Sequence, residues 1–301
     1  MNILYAVLKN YGFDESVEIK PIDKNAAVWQ VNNKYILKKS HEQEKDIEKT
    51  LMIHNFLRAE RIPAAEYIPA VSGEYYVIFE GDIYSLMRKM NGGHLDAQML
   101  FTGDYNLGIE MARLHKALNK IEPGVVYESD FMGELNNQIA DIKSNNIDIS
   151  SEIIADCLEF AGSYNLLPKQ VIHRDMHLGN MLFENGRLAC FLDFDSVQVN
   201  ARIFDIAYFA QSMLFINDNY KSDEFVKKWR GFFNDFLRGY QSENKLHECE
   251  IKAIHKLCGA LQINFISFYL WQEEKRYLVA NRADLLKWIY ANEQIFTFSL
   301  N

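Results

Sequence analysis

A polar loop lies between short apolar runs in residues 171–195, VIHRDMHLGNMLFENGRLACFLDFD, and no other stretch constrains the fold as strongly. Residues 181–183 and 188–192 are apolar, and Asn185-Gly186 lies between them. An Asn-Gly pair between two such runs is typical of the two-residue turn of a β-hairpin. The sequence therefore predicts an antiparallel strand pair with polar side chains gathered before its first strand and after its second.

The polar side chains around this hairpin have the chemistry needed to transfer a phosphoryl group to a hydroxyl. Asp175 is the candidate base, because its carboxylate could orient the acceptor hydroxyl and take its proton. Asn180, five residues on, is the second candidate catalytic residue, and its amide oxygen can ligate Mg²⁺ without adding charge. Asp193 is expected to be the main Mg²⁺ carboxylate, with Asp195 assisting. We expect His173 to brace the loop rather than to act as an acid or base.

Composition argues against several other classes of protein. The chain has 301 residues, 49% of them hydrophobic, so it is long enough for a bilobal globular protein. Its net charge of −9 argues against a nucleic-acid partner. The four cysteines form no CxxC pair, which is typical of reduced thiols in a cytoplasmic protein. No apolar stretch is long enough to span a membrane, so we expect a cytoplasmic protein without a membrane partner. We expect this protein to be a monomer or a homodimer.

The hydrophobic patterns divide the chain into a β-rich first part and a mainly helical remainder. Helices are predicted at residues 2–11 and 41–59, and strands at 27–31, 34–38, 75–79 and 83–87. We therefore predict an α+β fold with an N-lobe over residues 1–90, a linker over 91–95 and a helical C-lobe over 96–301. The C-lobe would hold a catalytic loop (171–183), a metal segment (192–195) and acceptor-binding helices (about 208–301).

With these motifs the chain resembles the aminoglycoside phosphotransferase and choline kinase-like family, whose bilobal fold is like that of protein kinases. VIHRDMHLGNMLF is similar to the catalytic loop of that family, and FLDFDSV is similar to its metal segment. Residues 28–38 resemble the spore-coat and type II homoserine kinase-like branch. The resemblance implies that ATP, or GTP, and Mg²⁺ are cofactors and that the γ-phosphate passes to a small-molecule hydroxyl. It also implies that Asp205 braces the catalytic loop.

The resemblance further implies a set of nucleotide-binding residues in the N-lobe. Lys38 would hold the α- and β-phosphates, because a strand lysine is a point charge on a stem fixed by a rigid element. A helix glutamate would pair with Lys38. Glu44 and Glu48 lie one turn apart on one face, and Glu48 is preferred. The adenine would lie near residues 87–90, so Met87 and Lys89 are candidate nucleotide contacts.

Two departures from the family pattern keep alternatives open. The expected phosphate-covering loop, residues 22–26, contains no glycine, which weakens the case for close backbone approach to phosphates. This favours the alternative of a catalytically weak pseudokinase with a structural, for example spore-coat-associated, role. Arg174 makes the loop like that of protein kinases, but the sequence has no APE-like segment after residues 193–195. A protein kinase is therefore the less favoured alternative.

The sequence leaves the acceptor open among an amino alcohol, a sugar, an aminoglycoside and homoserine. Aromatic and acidic residues in the last third, such as Trp271 and Glu273, would suit a cationic acceptor. Aromatic residues at helical spacing are more often part of a core. No residue after Asp205 is therefore assigned to the acceptor.

Overall fold

The computed structural model describes residues 2–22, 27–40, 43–101 and 106–298 of the protein. Most of the predicted phosphate-covering loop, residues 23–26, lies outside the described residues, as do the first two residues of the helix predicted at 41–59. The chain divides into two compact units. The first contains Met1–Gly93 and Met181–Asp195, and the second contains His94–Asn180 and Ser196–Asn301.

The described ranges contain β-strands and α-helices as follows. The strands are β1 (Ile19–Pro21), β2 (Val28–Val31), β3 (Tyr35–Ser40), β4 (Tyr67–Ile68), β5 (Val77–Phe79), β6 (Asp82–Arg88), β7 (Lys169–Ile172), β8 (Met181–Glu184), β9 (Arg187–Phe191) and β10 (Gln198–Ala201). The helices are α1 (Asn2–Lys9), α2 (Glu44–Ala59), α3 (Ala97–Leu100), α4 (Leu107–Leu118), α5 (Phe131–Ser144), α6 (Ser151–Tyr164), α7 (Ile203–Phe215), α8 (Asp223–Glu243), α9 (Glu248–Leu270) and α10 (Leu278–Ala291).

The first unit is built on an antiparallel sheet in the order β1-β2-β3-β6-β4, with β5 paired to β6. The tight turn between β2 and β3 places Asn32 and Asn33 at positive φ, as a two-residue hairpin requires, and confirms the hairpin predicted there. Leu37 of β3 is fully buried in a core that also contains Val7 of α1. Because side chains alternate along a strand, Lys38 points to the opposite face of the sheet from Leu37.

The β8–β9 hairpin belongs to the first unit, whereas the predicted domain boundaries placed it in the helical C-lobe. The N–H and C=O groups of Gly93 and Phe183 exchange hydrogen bonds of 2.9 and 3.0 Å, and the Phe191 N–H donates to the Pro63 carbonyl at 2.9 Å. Gly92 has a φ of 107°, and a Cβ there would lie 2.7 Å from the Phe183 carbonyl oxygen. These backbone bonds join the hairpin to residues before 94, a link that sequence order does not reveal.

The second unit is a helical body with a short antiparallel ladder of β7 and β10. Helix α9 packs against α5, α6, α7 and α10 and is buried along most of its length. Helices α4 and α8 approach closely at Gly108, where a Cβ would lie 1.9 Å from the Phe236 carbonyl oxygen. The predicted α+β class, with helices through the last third, is confirmed. Within the described ranges, no helix combines the length and apolarity needed to cross a bilayer.

Candidate active site

A buried aspartate at the start of α7, Asp205, holds the backbone of the loop that follows β7. Its Oδ2 accepts the His173 N–H at 2.8 Å, and its Oδ1 accepts the Arg174 N–H at 2.7 Å. His115 Nε2 donates to Oδ2 at 3.0 Å, and both side chains are fully buried. Both carboxylate oxygens are thus engaged, which is the arrangement that the predicted supporting role of Asp205 requires.

The loop turns sharply at Arg174, whose φ of 71° lies in the left-handed region. Such a conformation is strained for a residue with a side chain, and it persists only where surrounding contacts hold it. The bond from Asp205 to the Arg174 N–H supplies one such contact. The next N–H, that of Asp175, donates to Nδ1 of the fully buried His173 ring at 3.3 Å. His173 therefore supports the loop from beneath, in the position that its predicted bracing role requires.

Asp175 is a half-buried carboxylate that accepts hydrogen bonds at both oxygens. The Tyr208 hydroxyl donates to Oδ1 at 2.7 Å, and Nδ2 of Asn180 donates to Oδ2 at 3.0 Å. Nε2 of His177 lies 3.5 Å from the same Oδ2. Burial by itself raises the pKa of Asp175, but the contacts with His177 and Tyr208 outweigh it and hold that pKa well below its usual value. The carboxylate is therefore ionised at neutral pH.

Asn180 is a buried amide that is oriented by Asp175. Its Nδ2 also donates to the Asp175 main-chain oxygen at 2.7 Å, so both amide hydrogens are directed to one residue. A side-chain amide has one other polar atom, its carbonyl oxygen. That oxygen is the atom of Asn180 left to contact a cation.

A second group of charges lies in the first unit, where Lys38 on β3 meets the segment that follows β9. The Lys38 Nζ lies 2.9 Å from Asp193 Oδ1 and also donates to Asp195 Oδ2. Phe194, between the two aspartates, is fully buried and packs edge-on against the His54 ring with centroids 5.0 Å apart. The buried Phe194 ring holds this segment in place. The carboxylates of the two aspartates that flank Phe194 both contact the Lys38 ammonium group.

Electrostatics favours the charged form of Lys38. Burial alone lowers its pKa, but the charges of Asp195 and Asp193 outweigh burial and raise that pKa above its usual value. Asp193 also has a left-handed φ of 59°, a second strained position at a residue that carries candidate chemistry.

Comparison with known proteins now identifies the family. The profile of the phosphotransferase enzyme family (APH) matches residues 18–249, which is most of the chain. The chain belongs to this family. The membership confirms the predicted family and the predicted enzyme class, a kinase-type phosphotransferase. No curated protein sequence matches this phosphotransferase significantly.

Solved structures with the same fold cover almost the whole phosphotransferase. The amicoumacin kinase hAmiN in complex with AMP-PNP, Ca²⁺ and Ami is 16% identical, with a TM-score of 0.73 over 99% of this chain and 95% of that chain. The GDP complex of aminoglycoside 2'-phosphotransferase-IIIa is 13% identical, with a TM-score of 0.71 over 97% and 100%. A microcompartment-associated aminopropanol kinase is 15% identical, with a TM-score of 0.67 over 100% and 99%. These structures confirm the predicted kinase-like α+β fold.

Glu48 is not paired with Lys38 in this structure of the phosphotransferase. The Tyr76 hydroxyl lies 3.2 Å from Glu44 Oε2 and 3.5 Å from Glu48 Oε1, whereas the ion pairs of Lys38 are with Asp193 and Asp195. The Lys38–Glu48 pair therefore stays a prediction.

The two residues predicted near the adenine are engaged inside the first unit. Lys89 Nζ donates to Gln30 Oε1 at 2.7 Å and to Asn33 Oδ1 at 2.9 Å, so it ties strand β2 and the turn after it to the end of β6. Met87 is partly buried against a small core that includes Ile47. Both contacts are structural, and nucleotide binding by Met87 and Lys89 stays a prediction.

Tyr208 is a site residue that the sequence reasoning missed. It follows Asp205 by three residues on α7, and a helix places such residues on one face. The sequence therefore contained a signal for Tyr208. Because Asp205 braces the loop from the start of α7, the residue one turn further along that helix faces the same loop.

The oxygen donors suited to Mg²⁺ are divided between the two units. Asp193 and Asp195 lie in the first, and Asn180 lies in the second. Across the described ranges, no group of three or more His, Cys, Asp or Glu side chains forms a metal site. Carboxylate and amide oxygens are nevertheless the ligands that Mg²⁺ prefers. Two carboxylates that already meet on one cation, the Lys38 ammonium, also fit a divalent ion.

Proposed function

We propose that the protein is an ATP- and Mg²⁺-dependent kinase that transfers the γ-phosphate to a hydroxyl of a small molecule. The predicted N-lobe would bind the nucleotide, with GTP as the alternative donor, and the helical C-lobe would bind the acceptor. The enzyme would work in the cytoplasm as a monomer or homodimer.

The geometry at Asp175 carries this proposal. Its carboxylate is ionised, half-buried and aimed by donors from Asn180 and Tyr208, and its loop is held by Asp205. An ionised carboxylate so placed can accept a hydrogen bond from an acceptor hydroxyl and direct the hydroxyl oxygen at phosphorus. Phosphoryl transfer through a loose transition state depends mainly on positioning and charge, so Asp175 need not be a strong base.

Lys38 and the two aspartates would handle the phosphates. We propose that Asp193 and Asp195 hold Mg²⁺ in the nucleotide complex, with Asn180 as a further oxygen ligand. The Lys38 ammonium would then be free to contact the α- and β-phosphates. The metal ion, when bound, neutralises charge on the phosphate oxygens.

Three structural neighbours support a nucleotide donor and a small-molecule acceptor. One is an amicoumacin kinase in complex with AMP-PNP and Ami, another is a GDP complex of an aminoglycoside phosphotransferase, and a third is an aminopropanol kinase. Against the pseudokinase alternative, the described structure keeps Asp175, Asn180, Asp193 and Lys38 in organised clusters.

The test is ADP release with Mg²⁺-ATP across a panel of hydroxyl acceptors. The panel holds choline, ethanolamine, homoserine, methylthioribose, several aminoglycosides and a generic protein. We expect acceptor-dependent release that Asp175→Asn lowers by about 10²- to 10⁴-fold. The matched control is Asp148→Asn, which changes an exposed aspartate paired with Lys287.

Three other outcomes would contradict parts of the proposal. Full turnover by Asp175→Asn would overturn the role of that residue. ATP binding without release for any acceptor would favour the pseudokinase, and phosphate on the protein substrate would favour a protein kinase.

A further inference from the structure

One arginine of α10, Arg282, is buried between aromatic rings. It is 5% exposed, and its guanidinium carbon lies 3.3 Å from the Phe215 ring centroid and 4.0 Å from the Phe265 ring centroid. Because the Phe215 and Phe265 rings lie against the planar guanidinium, the N–H groups at its edges are the atoms that remain for polar partners.

The polar partners of Arg282 are neutral and few. Nη1 donates to the Oε1 atoms of Gln211 and Gln262, each at 3.2 Å, and the neutral Tyr269 side chain also lies beside the guanidinium. Among the described residues, the buried Nε has no hydrogen-bond partner. No carboxylate of the described residues forms an ion pair with this guanidinium. Burial lowers the pKa of Arg282 to about 10, so the side chain is still charged at neutral pH.

A buried charge without a counter-ion destabilises the folded state. Contact with the aromatic faces of Phe215 and Phe265 offsets part of this cost. It does not satisfy the buried Nε, and it does not neutralise the charge. A buried guanidinium with no carboxylate partner among the described residues is suited to a ligand that supplies an anion.

The position of Arg282 relates it to the proposed reaction. The ring of Phe265, which covers one side of Arg282, packs edge-on against Tyr208 with centroids 5.4 Å apart. The hydroxyl of Tyr208 donates to Asp175. All four residues belong to the second unit, so a path of ring contacts and one hydrogen bond leads from the guanidinium to the carboxylate that would receive the acceptor hydroxyl.

We propose that Arg282 binds a carboxylate of the acceptor, so the acceptor is a hydroxyl compound that carries a carboxylate rather than a purely cationic one. This inference rests on the proposed function and narrows its substrate class. A single guanidinium matches a single carboxylate, which it can bind through two parallel N–H bonds. The acceptor would therefore be oriented at two points, with its hydroxyl at Asp175 and its carboxylate at Arg282.

The first experiment compares acceptors that differ only in the carboxylate. The pairs are serine with ethanolamine, threonine with 1-amino-2-propanol, and homoserine with 3-amino-1-propanol. Each acceptor is assayed by ADP release with Mg²⁺-ATP and, separately, by the shift it causes in the Tm of the protein with AMP-PNP. We expect at least one carboxylate member to exceed its partner in kcat/KM, and to raise the Tm more.

The second experiment removes the guanidinium. Arg282→Met should raise the KM for the carboxylate acceptor by roughly 10- to 100-fold, the range for losing a hydrogen-bonded charge. The KM of its decarboxylated partner should change little. The matched control is Arg276→Met, because Arg276 is exposed and donates to Asn145 Oδ1 at 3.0 Å.

A further variant guards against a folding defect in Arg282→Met. Gln211→Glu places a carboxylate beside Nη1, where it should neutralise Arg282 and weaken binding of the carboxylate acceptor while Arg282 itself is retained.

The outcomes separate this inference from the proposed function. Equal use of both members of every pair, or preference for the decarboxylated members, overturns the inference and leaves the kinase proposal intact. The inference is also overturned if no carboxylate compound either binds or is phosphorylated. If no acceptor at all is phosphorylated, the proposed function is overturned instead. In that case, a Tm shift that only carboxylates cause and that Arg282→Met abolishes would still support the role of Arg282.

Discussion

Two arginines of the second unit, Arg202 and Arg282, are similarly buried but have very different partners. Arg202 is 8% exposed and binds Glu250 at two points, Nε to Oε1 and Nη2 to Oε2, each at 2.8 Å. It also donates to Asn244 Oδ1 and to the Lys245 carbonyl, both at 2.6 Å. Arg282 has two amide oxygens and no carboxylate among the described residues.

The difference shows that burial alone does not assign a role to a charged side chain. Arg202 and Glu250 complete each other, and Glu250 also accepts the His247 N–H at the start of α9. This pair therefore holds α9 to the segment after β10. Arg282 has only amide oxygens and no carboxylate as hydrogen-bond acceptors among the described residues, which is what we expect of a residue whose charged partner arrives with the substrate.

The largest effect should come from Arg202→Met. It would leave the fully buried Glu250 carboxylate unpaired, and breaking a buried ion pair costs about 3–5 kcal/mol in free energy of unfolding. Urea unfolding of Arg202→Met beside wild type measures the loss. A loss no larger than that of Arg282→Met would erase the distinction between the two arginines.

The double variant Arg202→Met/Glu250→Gln should recover more than half of that loss. It removes both charges while an amide oxygen remains to accept the His247 N–H. A double-mutant cycle that includes Glu250→Gln alone gives the coupling energy. Simple additivity of the two single losses would show that the pair does not act as a unit.

Tyr208→Phe should have an effect of intermediate size, because the Tyr208 hydroxyl is one of several groups that contact the Asp175 carboxylate. Asn180 and His177 contact the same carboxylate. Loss of the hydroxyl should lower kcat by roughly 10-fold, as expected for one hydrogen bond to a charged group, and raise the pKa of Asp175. The folded-state pKa of Asp175 lies below its unfolded value, so its stabilising contribution is present above about pH 4 and is lost as the pH falls through the folded pKa.

The stability gap between wild type and Tyr208→Phe should follow the same rule. The difference in free energy of unfolding should have its full size above about pH 4. It should shrink as the pH falls further, because Asp175 is then protonated in both wild type and Tyr208→Phe. Urea unfolding at several pH values provides the measurement. A gap that is independent of pH would mean that the hydroxyl does not stabilise the carboxylate.

The smallest effect on stability should come from Arg282→Met. The change removes a desolvated charge together with its aromatic contacts, two contributions of opposite sign, so the free energy of unfolding should change by less than about 1 kcal/mol. Thermal unfolding without ligand measures this. A loss comparable to that of Arg202→Met would make Arg282 a structural residue.

The strands and the site were predictable to different degrees. The hairpins at Asn32-Asn33 and Asn185-Gly186 follow from turn chemistry that acts over a few residues, and both are present. The attachment of the second hairpin to the first unit was not predictable, because it depends on backbone bonds between Gly93 and Phe183, which are far apart in sequence.

The sequence by itself determined the candidate chemistry of this phosphotransferase. Asp175, Asn180, Asp193 and Asp195 lie within one short stretch, so their spacing and residue types could be read without a structure. Only the tertiary structure decided the surroundings of these groups, including the Tyr208 hydroxyl on Asp175. The physical reason is that local order follows from neighbours in the chain, whereas the burial and pairing of a charge follow from helices that meet in the fold. That Arg282 has no carboxylate partner in the described part of the chain is visible only there.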